Sequence, residues 1–228
     1  MMWFYHLANV VLRGLFAILL DYRVTGLENV PRTGPLIVAI NHTSFLDPLL
    51  VGVFIPREVT MMGKAELFRI PVFGLIARLY GAFPVRRGEI DRGALRRAME
   101  VLQEGGALMM APEGTRGGTE QLQRGRHGVT MIALRTGAAI LPVAIWGPKR
   151  FPTNLARLRR TRVGMAVGEP FTLKKGAGKP SREEVRAMTD EIMYRLAALL
   201  PPEVRGVYSD LTAAREDHLL PLGVKRAA

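Results

Sequence analysis

The sequence predicts a layered α/β domain: a mostly buried, mixed sheet flanked by helices, with an apolar helix at its N-terminus. Three observations predict it. Short apolar runs at 35–40, 58–62, 82–85, 107–111, 139–145 and 162–167 have the length and the bounds of buried strands. Stretches with helical spacing lie between them, and strands alternating with helices bury their apolar faces by layering. Residues 2–20 are almost continuously apolar.

Taken in order, residues 2–20 place His6, Asn9 and Arg13 at steps of three and four, one narrow polar stripe on a helix. Trp3, Phe4 and Tyr5 crowd one end, where amphipathic rings favour a membrane–water boundary. A secretory signal is disfavoured, because a basic start and a small-residue cleavage site are both missing and Asp21-Tyr22-Arg23 follows. Three arrangements stay open: a helix lying in one leaflet, which the stripe favours, a single span, or an ordinary buried helix. Residues 1–24 are therefore read as a membrane-associating helix, 25–208 as the domain proper and 209–228 as a loosely ordered tail.

Within the domain, residues 90–104 put Ile90, Ala94, Leu95, Ala98, Val101 and Leu102 on one helical face, and Gly105-Gly106 supplies the stop. Residues 181–199 open on Ser181 and Glu184, spaced as a capping box, and end before Pro201-Pro202. Pro142 interrupts the run at 139–145, which predicts an edge, a bulge or a close ligand approach there.

Composition narrows the chemistry. The 228 residues carry 32 Lys and Arg against 20 Asp and Glu, a net charge of +12, so an anionic partner is expected: nucleic acid, an anionic membrane or phosphorylated substrates. Cysteine is absent, which excludes disulfides, thiolate nucleophiles and cysteine-ligated zinc. The arginine cluster at 157–162 alone would suit a nucleic-acid-binding module, but it lacks interleaved aromatics and the apolar N-terminus would go unexplained. Only four histidines occur (His6, His42, His127, His218), with no His-x-x-x-His pair for a metal-dependent hydrolase.

Four segments carry chemistry. Asn41-His42-Thr43-Ser44-Phe45-Leu46-Asp47 directly follows the strand at 35–40. A carboxylate five residues beyond a histidine can fix its tautomer and stabilise the imidazolium, although the same spacing also suits a plain turn. Lys64 and Arg87 each follow a strand, and ligands of α/β sheets bind beyond strand ends. In Ala111-Pro112-Glu113-Gly114-Thr115-Arg116, Gly114 permits a close backbone approach and Arg116 offers a fork matching phosphate, the alternative being a turn with an internal Glu113–Arg116 pair. The fourth is Ala138–Ile145, which says little by itself.

In order and spacing these four segments resemble the motifs of the phospholipid/glycerol acyltransferase family, most closely its bacterial 1-acyl-glycerol-3-phosphate acyltransferases. NHTSFLD, GKAELFRIPVFG with GAFPVRRG, APEGTR and AAILPVAI stand for the four motifs, over roughly residues 25–205. Ala111 replaces the usual aromatic before Pro112, Arg86 stands where an acidic residue is common, and Gln123-Arg124-Gly125 keeps one charge of a usual basic pair. The resemblance implies acyl transfer from acyl-CoA or an acyl-carrier protein to the sn-2 hydroxyl of the lysophosphatidate 1-acyl-glycerol-3-phosphate, forming phosphatidic acid, the alternative acceptors being glycerol-3-phosphate, a lysophospholipid or a lyso-aminolipid. In that case His42 is the general base and Asp47 its orienting partner. Lys64, Arg116 and Arg87 bind the acceptor phosphate, while Glu113, Gly114 and Thr115 shape the site. Thr43 and Ser44 are expected to cap the following helix. No cofactor is expected, the acyl donor being a substrate, and neither is a metal or a nucleic acid. The cytoplasmic face of the cell membrane is the expected location, with the basic clusters Lys149-Arg150, Arg157–Arg162 and Lys174-Lys175 facing anionic headgroups.

Overall fold

The computed structural model describes residues 2–86, 91–115, 117–176 and 178–222. The elements run α1 (Met2–Leu19), β1 (Leu20–Thr25), β2 (Leu36–Ile40), α2 (Asp47–Phe54), β3 (Val59–Lys64), α3 (Pro71–Leu79), β4 (Phe83–Val85), α4 (Arg92–Gln103), β5 (Ala107–Met110), α5 (Gly128–Thr136), β6 (Ala139–Trp146), α6 (Phe151–Ala156), β7 (Thr161–Val167), β8 (Phe171–Leu173), α7 (Arg182–Leu199) and β9 (Leu219–Pro221). All six expected strands are present, in a mixed sheet of order β1-β7-β6-β2-β5-β3-β4, with β8 and β9 appended beside β6.

Side-chain alternation assigns the layers. Leu36, Val38 and Ile40 of β2 face α1 and α2, whereas Ile37 and Ala39 face α4, α5 and α7. β2 is wholly buried, and for that reason reads as an unbroken apolar run rather than an alternating one. The crossover from β2 to β3 passes through α2 on one face, and that from β5 to β6 through α5 on the other. Because β5 and β6 flank β2 on opposite sides, the carboxyl end of β2 is the point where the winding changes direction, the usual position of a ligand crevice in an open α/β sheet.

Several expectations are corrected. The segment at 20–25 is strand β1, parallel to β7, so the N-terminal helix runs directly into the sheet and buries Tyr5, Phe16 and Leu20 in the core. Among the described residues no helix is long and apolar enough to cross a membrane. The tail expected to be loose instead supplies β9, which pairs with β8 and buries Leu219. Pro142 lies in a central strand, not at an edge. It falls where the second neighbour of β6 changes from β8 at Ile140 to β7 at Val143, so its missing N–H interrupts no ladder. The capping box of α7 is present in full: Ser181 Oγ accepts the Glu184 N–H at 3.1 Å and Glu184 returns the bond to the Ser181 N–H at 2.7 Å. On the 90–104 helix, Ala94, Ala98, Val101 and Leu102 are buried, and Ile90 lies outside the described residues.

Candidate active site

The site is built at the carboxyl ends of β2 and β5. Asn41, the first residue past β2, is buried and grips Ile145 at the end of β6. Its Oδ1 accepts the Ile145 N–H and its Nδ2 donates to the Ile145 carbonyl, both at 2.7 Å. This double bond between neighbouring strands fixes where the chain leaves the sheet. Sequence reading gave Asn41 no separate role.

His42 follows, with its side chain 13% exposed, and its Nδ1 lies 2.9 Å from Asp47 Oδ2. The same oxygen accepts the N–H groups of Thr43 at 2.7 Å and Ser44 at 2.8 Å. Three bonds on one oxygen leave the Asp47 carboxylate a single orientation, which favours the His42 tautomer that carries its proton on Nδ1. Asp47 is fully buried, and its Oδ1 has no hydrogen-bond partner among the described residues. A positive charge on the ring would lie directly beside this buried carboxylate.

Asp47, and not a capping Thr43 or Ser44, stands at the start of the next helix. It opens α2 itself, the helix has Leu46 at its N-cap with no side-chain cap, and Thr43 Oγ1 is buried with no hydrogen-bond partner among the described residues. Ser44 Oγ instead accepts the Leu46 N–H at 3.2 Å and reaches toward the Pro148 carbonyl at 3.4 Å.

Glu113, in the loop after β5, is buried and bridges two segments. One oxygen accepts the His42 N–H and the other the Gln123 N–H, each at 2.9 Å. Burial pushes its carboxyl above the ordinary carboxylate range, against the pull of the two N–H groups. The Gly117 N–H completes the clasp by donating to the His42 carbonyl at 2.9 Å. Gly114 has φ of 74°, a conformation that favours glycine, and a Cβ there would stand 2.6 Å from Arg126 Cδ and displace that side chain. Arg126 escaped the sequence reading. Its N–H donates to the Pro112 carbonyl at 2.7 Å and its side chain crosses Gly114, contacts with no local signature.

Lys64 ends β3, which runs parallel to β5 and finishes at the same end of the sheet. It thus shares the sheet end of His42, where its ammonium lies 3.5 Å from Glu66. Thr115 is exposed beside Gly114. Arg87 and Arg116 lie outside the described residues. The other histidines are engaged elsewhere: His6 with Glu58, His127 with Thr189 and His218 with Glu191. Several cations of the basic clusters also bond to the protein itself, among them Lys174 to the Asp217 carbonyl and Arg162 to Asp21. Arg160 donates to the Ala17 and Leu20 carbonyls where α1 ends, and Lys149 donates to the Gly118 carbonyl.

A histidine oriented by a buried carboxylate at the switch point of an open α/β sheet is an arrangement able to abstract a proton, as transferase and hydrolase sites do. The family model described as Acyltransferase matches residues 21–146, more than half of the chain, and the chain belongs to that family. It is 28% identical to the 1-acyl-sn-glycerol-3-phosphate acyltransferase of Bacillus subtilis, over 78% of this chain and 87% of that protein. It is 38% identical to the lyso-ornithine lipid O-acyltransferase of Pseudomonas aeruginosa, over 55% of this chain and 47% of that protein. Its fold is similar to the crystal structure of the 1-acyl-sn-glycerophosphate (LPA) acyltransferase PlsC from Thermotoga maritima, with a TM-score of 0.62, 29% identity, and coverage of 82% of this chain and 74% of that one.

Proposed function

We propose that this acyltransferase moves an acyl chain from an acyl thioester, acyl-CoA or acyl-carrier protein, to the sn-2 hydroxyl of 1-acyl-glycerol-3-phosphate, forming phosphatidic acid. The observation that carries the reading is the His42–Asp47 pair at 2.9 Å, which leaves Nε2 as the base. As Nε2 takes the hydroxyl proton, the oxygen attacks the thioester carbonyl carbon. The tetrahedral intermediate collapses with cleavage of the C–S bond, and the imidazolium returns its proton to the departing thiolate. General-base catalysis of this kind contributes about 10²–10⁴-fold, and positioning of the two substrates supplies the rest. With no cysteine in the chain, transfer is direct rather than through a thioester on the enzyme. Lys64, Arg116 and Arg87 are the groups proposed to hold the acceptor phosphate.

A lipid acceptor calls for access to a bilayer. α1 is proposed to lie in the cytoplasmic leaflet through its outer face, which exposes Trp3, Leu7, Val10 and Ile18. A second reading, transfer to a lyso-aminolipid, is favoured by the 38% identity to the Pseudomonas relative. An acceptor without a phosphate would leave Lys64, Arg87 and Arg116 without a role. Offering the purified protein a panel of lyso-acceptors, with acyl-CoA and with acyl-carrier protein, decides between them. Turnover only with phosphate-free acceptors would overturn the first reading.

A further inference from the structure

The large hydrophobic side chains at the surface are confined mainly to one side of the molecule. Helices α4, α5 and α7, which cover one face of the sheet, expose none of them. On the other face α1 exposes such residues along its length. A second segment does so as strongly: the short 3-10 turn Ala65–Arg69 and α3 expose Leu67, Ile70, Val72, Phe73, Leu75 and Ile76.

Helix α3 is built inside out. The residue it buries is Gly74, whose absent side chain lets the helix sit on the Phe68 carbonyl, since a Cβ there would stand 2.5 Å from that oxygen. Its large residues point away, with Val72 and Phe73 65% and 64% exposed. An amphipathic helix normally does the reverse. The helix is nonetheless firmly seated. Tyr80, just past its end, is buried, stacks on Tyr5 of α1 with ring centroids 4.7 Å apart, and donates its hydroxyl to Asn9 Oδ1. The anchoring helix proposed above and α3 are thereby clamped together. The exposed cations Arg69 and Arg78 flank the apolar surface, as headgroup contacts flank an interfacial helix.

We propose that α3, with the turn before it, is a second membrane-embedding element, seated in the headgroup–acyl boundary of an anionic phospholipid leaflet. It deepens the lipid-acceptor reading above and rests on it. α3 begins at the sheet end where β3 and β2 finish, so its insertion sets the rim of the His42 site against the leaflet. A second copy of the chain fits the surface less well: a dimer closed on α3 would leave the exposed face of α1 in water, whereas one leaflet covers both and suits the flanking cations.

The test is vesicle flotation of the full chain with phosphatidylcholine vesicles, with and without phosphatidylglycerol. The variants are Val72→Ser/Phe73→Ser/Ile76→Ser on α3, Val10→Ser/Val11→Ser on α1, and the two combined, each checked by circular dichroism. Each set should weaken partitioning on the order of tenfold or more, with the combination floating least. Because the chain has no cysteine, Phe73→Cys accepts a single environment-sensitive fluorophore, which should shift to the blue on anionic vesicles. Flotation of the α3 variant equal to the native chain, or a probe at 73 that stays in water, overturns the proposal. So does a concentration-dependent dimer, or a complex with acidic acyl-carrier protein, that the α3 variant abolishes while vesicle binding persists. His42→Ala should float normally, so loss of turnover without loss of flotation bears on the acyl-transfer reading alone.

Discussion

Glu113 accepts the backbone N–H of His42 at 2.9 Å across 71 positions of sequence, while Asp47 holds the same residue by its ring. Two buried carboxylates thus grip one histidine from two sides, and they do different work. Asp47 orients the ring and, in the proposed mechanism, answers the charge that forms on it. Glu113 fixes where the histidine stands, by tying the end of β2 to the loop after β5.

Asp47→Asn separates chemistry from architecture. An amide oxygen still accepts from Thr43 and Ser44, so the turn and the melting temperature should change little. The ring loses its anionic partner, and the wrong tautomer becomes accessible. We expect kcat to fall by roughly 10³–10⁴-fold with the acceptor KM nearly unchanged, read by steady-state kinetics beside thermal melts.

Glu113 makes a pH prediction whose sign is fixed. Its pKa is raised in the fold by burial, so between its ordinary value and the raised one the native state binds more protons than the unfolded chain. Its contribution to stability is present at acid pH and is lost as pH rises through the raised pKa. Glu113→Gln removes this slope. Urea midpoints from neutral pH down to the ordinary carboxylate range should show the native chain gaining on the variant as pH falls, by up to about 1.4 kcal/mol per pH unit. Parallel curves would contradict it.

Gly114→Ala should destabilise the loop through strain at positive φ, about 1–2 kcal/mol, and through collision with Arg126. Adding Arg126→Ala relieves the second cause only. The double variant should regain part of the lost stability, a coupling that a double-mutant cycle of denaturation midpoints measures.

Lys64→Ala and Arg116→Ala should raise the acceptor KM about tenfold or more while leaving the donor KM in place, the loss expected when one charge-assisted phosphate contact goes. Kinetics with each substrate varied in turn separates the two.

Much of the fold was legible because the strands that build the core are buried on both faces and stand out as apolar runs. What escaped was short or peripheral. β1 presents Asp21, Tyr22 and Arg23 to solvent and has no alternation to read, and β8 and β9 are three residues each. The His42–Asp47 pair was visible because its partners are five residues apart. Asn41 with Ile145, Glu113 with His42 and Arg126 with Gly114 were not, since each contact exists only once strands distant in sequence lie side by side. The edge reading of Pro142 failed for the same reason: its place depends on where one neighbouring strand hands over to the next.

The most direct test of the account is His42→Ala, assayed for acyl transfer to the acceptor that the native chain uses best, with circular dichroism and melting to confirm the fold. The account predicts native structure, little change in acceptor KM and a kcat lower by about 10²–10⁴-fold. Turnover within a fewfold of the native chain would contradict it.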